Sequence, residues 1–459
     1  MTNIISIKFL GAASTVTGSK HLLKTPDKNI LIDCGLFQGI KSLRLKNWEP
    51  FPVPVNQIDT VIITHAHLDH CGYIPLLVKS GFNGKILMTP PTRDLVEIIL
   101  RDSAKIQEED ADRANKFGYS IHTPALPLYT VSDVEKSLEL FETYNDKQWV
   151  ILSPNICFRF LKNGHILGSC FIDMKCFGKK IVFSGDIGRS KSELMAPPTK
   201  IDSADFLLME STYGNRLHSN ENAMDELSDI INTTIHKKGN ILIPSFAIGR
   251  AQELMHMILQ LKKHLHIPDI PVFMDSPMGA DATEILSNYP AWHNLSTQDC
   301  NALHNNITII RDWHETEKVI SKKGSKIVIA ASGMLTGGRV LEYVKHYIEN
   351  KKNTILLAGY QAEGTRGRAL LEGAHELKIH GKYYKVHANV CEISSLSAHA
   401  DQREMLNWLK QFTKKPEKIF LIHGEPIAQE AFRVKIKDEL GIDSIIPTQN
   451  EEFTLFTTS

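Results

Sequence analysis

The stretch Val61–Cys71, VIITHAHLDHC, puts three histidines and one aspartate into six consecutive positions directly behind an apolar run. A chain built this way must make the run a buried strand and bring the polar side chains out at its end. Left in a core without partners, such groups would cost several kcal/mol. In an extended segment residues two apart project to the same side, so His65 and His67 can share one ion. Asp69 and His70 fall where the chain turns and would face a second point further along. Imidazole with carboxylate and no thiolate suits Zn²⁺, and ligand type alone leaves Mn²⁺ and Fe²⁺ open. The seven cysteines are scattered and form no CxxC pair, which predicts reduced thiols rather than a disulfide framework or a zinc ribbon.

At 459 residues the chain exceeds what one hydrophobic core usually supports, so two or three folded units are expected. Lys plus Arg balances Asp plus Glu at 52 each, so any site for a polyanion must be local. The opening MTNIISIKFLGAAST lacks the pattern of a signal peptide, and no stretch approaches the roughly 18 apolar residues of a membrane span. A cytoplasmic protein with no membrane partner is expected. Short apolar runs ending in Gly, His or Pro (ISIKFLG, NILIDCG, TVIITHA, GKILMTP) read as buried strands. Residues Thr92 to Phe117 read as an amphipathic helix with Leu95, Ile98, Ile99 and Ile106 near one face. SDVE at Ser132–Glu135 matches a capping box that would open the next helix. After Glu210 the rhythm changes to single strands (GNILIPS, PVFMDSP, SKIVIAASG, NTILLAGY), each followed by a helical pattern, as in a doubly wound α/β unit. Short strands return near Tyr384, so the second unit looks inserted into the first.

Further metal-type side chains stand at strand ends: Asp33 in LIDCG, His165 in NGHILGS, Asp186 in FSGDIG and His423 in FLIHGE. Singly, an Asp before Gly is turn chemistry and a strand-end His is incidental. As a series, Asp33, His65-x-His67-x-Asp69-His70, His165 and Asp186 resembles the metal motifs of the metallo-β-lactamase fold. Glu210 in LLMESTYGNR, His399 in SLSAHAD and His423 in LIHGE resemble the three signatures of its β-CASP branch. GAASTVTGS, PSFAIGRAQEL, DSPMGADATEI, AASGMLTGGR and GYQAEGTRGR extend the likeness over nearly the whole chain. His423, where DNA-acting members typically have valine, makes the chain similar to the RNA-processing ribonucleases. These include the endonuclease subunit of the cleavage and polyadenylation machinery and its short prokaryotic relatives.

The resemblance implies an α/β chain: an αββα metallo-β-lactamase sandwich with an inserted doubly wound β-CASP domain. The expected division is 1–209 for the first part of the sandwich, 210–384 for the insert and 385–459 for the return. It implies two Zn²⁺ per chain, one held by His65, His67 and His165, the other by Asp69, His70 and His423, with Asp186 bridging and Asp33 orienting a ligand imidazole. Two such ions lower the pKa of a shared water and activate it against phosphorus. His399 is then the candidate acid for the leaving oxygen, kept protonated by Glu210. Asp69, Asp186, Glu210 and His399 form the expected catalytic set.

Substrate holding is expected from the insert. IVIAASGMLTGGRV reads strand, glycine-rich loop, helix, so backbone N–H groups near Ser332, Gly333, Gly337 and Gly338 could cradle a phosphate. Arg250, Arg339, Arg366 and Arg368 could line a groove for single-stranded RNA, and Ser397 could touch the scissile phosphate. A small-molecule hydrolase of the same fold would not need the insert, Glu210 or His399. A diiron redox member would carry a carboxylate where His67 stands, and a non-catalytic RNA-binding subunit would show eroded ligands. Endonucleolytic cleavage is expected over 5′–3′ exonucleolytic action, because nothing in the sequence marks a pocket for a 5′ end and no added C-terminal domain is evident after His423. A homodimer is left open.

Overall fold

The computed structural model describes residues 3–458 apart from 119, 121, 220 and 221. By contact the chain divides into two units, one of 1–191, 196–217 and 399–459, the other of 192–195 and 218–398.

The first unit contains two seven-stranded sheets. One runs Glu452–Thr458, Asn3–Phe9, His21–Lys24, Asn29–Ile32, Thr60–Ile62, Lys85–Met88, Phe141–Thr143. The other runs Ser444–Ile445, Lys418–Ile422, Phe206–Glu210, Lys179–Phe183, Cys170–Cys176, Ile156–Lys162, Val150–Ser153. Strand periodicity explains how they stack. On the second sheet Phe206 and Phe420 point towards the first, where Phe206 stacks on Phe456 with centroids 5.7 Å apart and Phe420 meets Phe9 at 5.2 Å. The alternate residues Leu207, Met209, Ile419 and Leu421 face outward and are buried under Met405, Leu406, Trp408, Phe432 and Ile436 of the helices Gln402–Leu409 and Pro426–Leu440. Helices Pro90–Phe117 and Val131–Leu138 pack on each other beside the first sheet. The result is the expected αββα sandwich.

Two local expectations change. The helix over Pro90–Phe117 buries Leu95 and Ile99 of the expected face together with Val96, Leu100, Ala104, Ala111 and Ala114, while Ile98 is half-buried and Ile106 is 47% exposed. The next helix begins at Val131, and its capping box is formed by Thr130 and Asp133 rather than by Ser132 and Glu135. Thr130 has the extended backbone an N-cap needs, and its hydroxyl accepts from the Asp133 N–H.

The second unit is built on six parallel strands in the order Thr308–Ile310, Val272–Asp275, Ile327–Ala330, Ile241–Pro244, Thr354–Leu357, Asn389–Glu392. Its central strands are buried at every position, as a parallel sheet covered on both faces requires. Where the sequence reading ended the insert at residue 384, this unit continues to residue 398, because Asn389–Glu392 pairs with Thr354–Leu357 and extends the sheet. Glu210 closes a strand of the first unit, and the insert's main segment starts at His218.

One ion pair anchors this sheet. Asp275, wholly buried at the end of Val272–Asp275, accepts from Arg339 Nη1 at 2.8 Å and from the Tyr343 hydroxyl at 2.6 Å. Arg339→Ala would leave a buried carboxylate with one partner, and a loss of about 3–5 kcal/mol is expected for breaking such a pair. Urea unfolding of the full chain checks this. An unchanged midpoint for the insert's transition would show that the pair is dispensable.

Candidate metal centre and acid pair

The ligand-type side chains of the first unit converge where strand ends meet. The strand Thr60–Ile62 stops before Thr64, His65 and His67 follow in the loop, and a four-residue helix Leu68–Cys71 carries Asp69 and His70. Asp33 lies just beyond Asn29–Ile32 with φ of 60°, and His423 just beyond Lys418–Ile422 with φ of 49°. Left-handed backbone is uncommon outside glycine, although Asp and His adopt it more readily than most, and it turns each back towards the cluster. The glycine of LIDCG has a separate reason: a Cβ on Gly35 would come within 1.6 Å of the Asp69 carbonyl oxygen, so only glycine lets the two loops touch.

Two donor sets result. His67 Nδ1 lies 3.2 Å from His65 Nε2 and 3.1 Å from His165 Nε2. Asp186 Oδ2 lies 3.4 Å from His65 Nε2 and 3.5 Å from His165 Nε2. A tetrahedral ion with bonds of about 2.0–2.1 Å has ligand–ligand edges of about 3.3–3.4 Å, so these four atoms are spaced as ligands of one metal. On the other side, Asp69 Oδ2 is 3.2 Å from His423 Nε2 and 3.8 Å from His70 Nε2, and Asp186 Oδ1 is 3.3 Å from His70 Nε2. The two oxygens of Asp186 thus face different sets. Asp186 Oδ1 is buried and accepts no hydrogen bond, which is what a metal-facing oxygen requires.

Electrostatics agree with a cation here. Burial, then the neighbouring His70, pushes His65 down to about 3, and burial pushes His67 down to about 4 and His165 well below its ordinary range. These imidazoles are neutral and present lone pairs. Burial opposes ionisation of Asp69 and Asp186, but the surrounding histidines outweigh it and hold both below the usual carboxylate range. Asp186 and Asp33 outweigh the burial of His70 and raise it well above its ordinary range, so the second set carries negative charge that a cation would offset.

The supporting contacts are specific. Asp33 Oδ2 holds His70 Nδ1 at 2.7 Å and is itself fixed by the Thr64 hydroxyl at 2.9 Å. Thr64 Oγ1 also lies 3.0 Å from His65 Nδ1, and Thr212 Oγ1 lies 3.0 Å from His423 Nδ1. Sequence reading missed both threonines; in ITHAH and ESTYG the signal was a hydroxyl next to His65 or two residues after Glu210. It also missed His21, buried in the cavity that includes His70, Asp186 and His423.

Beside the first set, His399 Nδ1 is 3.2 and 3.1 Å from the two oxygens of Glu210. The Ile187 N–H donates to Glu210 Oε1, and Ala400 N–H donates to the Ile187 carbonyl at 2.7 Å, so one short segment aligns both partners. Burial opposes the imidazolium, but Glu210 and the nearby Asp186 and Asp69 outweigh it and push His399 up to about 9.

The expected substrate residues lie in the second unit and are engaged there. Ser332 Oγ accepts from the N–H groups of Thr336 and Gly337 at 3.1 and 3.4 Å, and Gly333 packs against Phe246. Gly338 has φ of 77°. Arg250 pairs with Glu253, Arg368 with Glu372, Arg339 with Asp275, and Arg366 donates to the carbonyls of Lys378 and Leu335. Ser397 is buried.

Three family models match the chain: the metallo-beta-lactamase superfamily over residues 18–136, the Beta-Casp domain over 251–370, and the Zn-dependent metallo-hydrolase RNA specificity domain over 383–447. Ribonuclease TTHA0252 of Thermus thermophilus is 32% identical over 90% of this chain and 92% of its own length. The chain belongs to the metallo-β-lactamase-fold β-CASP family. An RNase J-like protein of Methanocaldococcus jannaschii is 32% identical over 97% of this chain and 99% of its own, and transcription termination factor FttA of Methanosarcina mazei is 32% identical over 98% and 72%. A crystal structure of an Enterococcus faecalis protein of unknown function shares the fold, with a TM-score of 0.53 at 11% identity over 98% of this chain and 99% of its own. The family and the donor sets together make this a metal-dependent hydrolase.

Because Asp33 fixes the tautomer and orientation of His70, Asp33→Ala is expected to weaken metal binding by about 10–100-fold. Competition with a chelator measures it. Unaltered affinity would reduce Asp33 to a turn residue.

Proposed function

We propose that the chain is a zinc-dependent ribonuclease that cleaves phosphodiester bonds of single-stranded RNA endonucleolytically. The observation that carries the reading is the His399–Glu210 pair set beside two donor sets that share Asp186. A metal site alone serves many reactions, whereas an acid placed next to it suits expulsion of a poor leaving group such as an alkoxide. Related proteins named as a ribonuclease and as RNase J-like support RNA as the substrate class.

His65, His67, His165 and Asp186 would hold one zinc, and Asp69, His70, His423 and Asp186 a second. Bound there, the ions would lower the pKa of water towards neutrality and offset phosphate charge. The chain's own part is positional and acid–base. Asp69 and Asp186 hold the donor sets, and Asp33 fixes His70. Glu210 anchors Nδ1 of His399 and favours the imidazolium, which leaves the other ring nitrogen to give its proton to the leaving oxygen as the P–O bond breaks. His399 is only 14% exposed and Glu210 not at all, so the centre is recessed and admits a flexible strand more readily than a rigid duplex. Ser332, Gly333, Gly337, Gly338, Ser397 and the four arginines remain the insert's proposed RNA contacts. Arg339, tied to Asp275, has the more structural part.

His399→Ala is expected to keep its metal and lose about 10²–10⁴ in cleavage rate. Metal analysis alongside the kinetics checks it, since loss of metal would make His399 a ligand. Glu210→Gln removes the charge that raises His399, so the acid form should be lost at a lower pH than in the wild type. The alkaline limb of the pH–rate profile should move down; a limb that stays in place would assign that proton to another group.

Nothing in the catalytic set addresses a terminal phosphate, which favours internal cleavage. A circular single-stranded RNA is therefore expected to be linearised. A circle that persists while its linear counterpart is consumed would establish the exonucleolytic alternative and leave the metal chemistry intact.

A further inference from the structure

We propose that the segment Ile40–Trp48 of the first unit is a contact platform for single-stranded RNA, reading base faces with Trp48 and phosphates with Lys41 and Arg44. The proposal rests on the ribonuclease reading above and adds a surface to it.

The segment is exposed yet anchored. Helix Lys41–Leu45 buries no residue, and the turn Lys46–Trp48 buries only Asn47. Trp48 is 58% exposed, Leu45 51% and Ile40 38%. Asn47 accounts for the anchoring: its Oδ1 accepts from the Phe37 N–H at 2.9 Å and its Nδ2 donates to the Phe37 carbonyl at 2.8 Å. A five-residue helix without an apolar face has no reason of its own to be held so firmly while presenting a tryptophan to solvent.

Charge identifies the occupant. No acidic residue stands between Asp33 and Glu49, while Lys41, Arg44 and Lys46 all fall there. Lys46 is bound to Gln449 and lies 5.5 Å from the Phe37 ring. Among the described residues Lys41 and Arg44 have neither an ion-pair nor a side-chain hydrogen-bond partner, although the chain as a whole balances its charges. Three positions apart on one helix, they share a face. Two unpaired cations beside an exposed indole suit a strand that carries both phosphates and stacking bases, since stacking on an aromatic face is tolerant of sequence. Glu49, the next acid along the chain, follows the tryptophan.

The platform also borders the metal centre. Residues 34–36 run beside the HxHxDH loop, with Cys34 N–H donating to the His70 carbonyl at 2.7 Å and Leu36 N–H to the Leu68 carbonyl at 3.0 Å. Phe37 packs against Gly18, and Gln38 N–H donates to Thr17 Oγ1 at 3.2 Å. The same loop supplies the Ala12 carbonyl that accepts from the His423 N–H at 2.8 Å. Through the Asn47–Phe37 bonds the platform is thus joined to the chain that runs beside the loops carrying Asp69, His70 and His423.

The test uses the full metal-loaded chain and a fluorescein-labelled, phosphorothioate-linked single-stranded oligoribonucleotide, with binding read by anisotropy over a range of salt. Trp48→Ala is expected to weaken binding by about 5- to 150-fold, with Trp48→Phe keeping most of the affinity. The double variant Lys41→Ala/Arg44→Ala should reduce the slope of log K against log salt by about 1.4, two phosphates at about 0.7 each. Zinc content and melting temperature should match the wild type in all three. Wild-type binding with unchanged affinity and slope in the variants overturns the platform alone, whereas a wild type that does not bind RNA overturns the ribonuclease reading with it. Two further results count against the platform: affinity lost together with zinc or thermal stability, and a Trp48→Ala variant that binds RNA normally but forms a smaller species in light scattering. The last would mark the surface as one for a second copy of the chain.

Discussion

The carboxylate of Asp186 is the point on which the centre turns. Its two oxygens face two different groups of donors, so the positions of His65 and His165 on one side and of His70 on the other are coupled through one side chain. Such a carboxylate stays ionised when buried only if its charge is balanced. The surrounding imidazoles do part of this, and the spacing of the donors suits divalent ions for the rest. Loops from both sheets must therefore arrive in register, and the sandwich exists in a form that lets them.

That register is enforced by backbone as much as by side chains. Asp33 and His423 adopt left-handed backbone next to strand ends, and Gly35 allows the loop after Asp33 to touch the Asp69 carbonyl. Hydroxyls then fix the rings: Thr64 meets both Asp33 and His65, and Thr212 meets His423. The Glu210–His399 pair is carried on the same framework. Glu210 ends a central strand, and the segment carrying His399 is joined to Ile187, which also binds Glu210, so the end of the sheet fixes where the pair stands.

The second unit tells a different story about charge. Its arginines are joined to carboxylates or carbonyls within the unit, and Arg339 with Asp275 holds the end of a parallel strand. In the first unit Lys41 and Arg44, on the short helix Lys41–Leu45, are among the cations that have no such partner. A cation held by an internal acceptor meets a polyanion only by sharing or exchanging that partner, and a sequence does not show which arginines are held.

The strands and the clustering of the donor-type residues were legible because each carries a local signature, an apolar run or a chelating residue type at a strand end, and the Glu210–His399 pairing followed from the resemblance. Cap and boundary errors came from local near-equivalents. Thr130 and Ser132 both suit an N-cap, and the strand Asn389–Glu392 reads alike in either unit until its partner is known. By itself the sequence determined the chemistry of the centre, nitrogen and oxygen donors without thiolate, because residue type sets ligand hardness. Only the tertiary structure decided which oxygen of Asp186 faces which donors, which threonines orient the rings and which cations remain unpaired. Those depend on distances between residues far apart in the chain, and no local pattern encodes them.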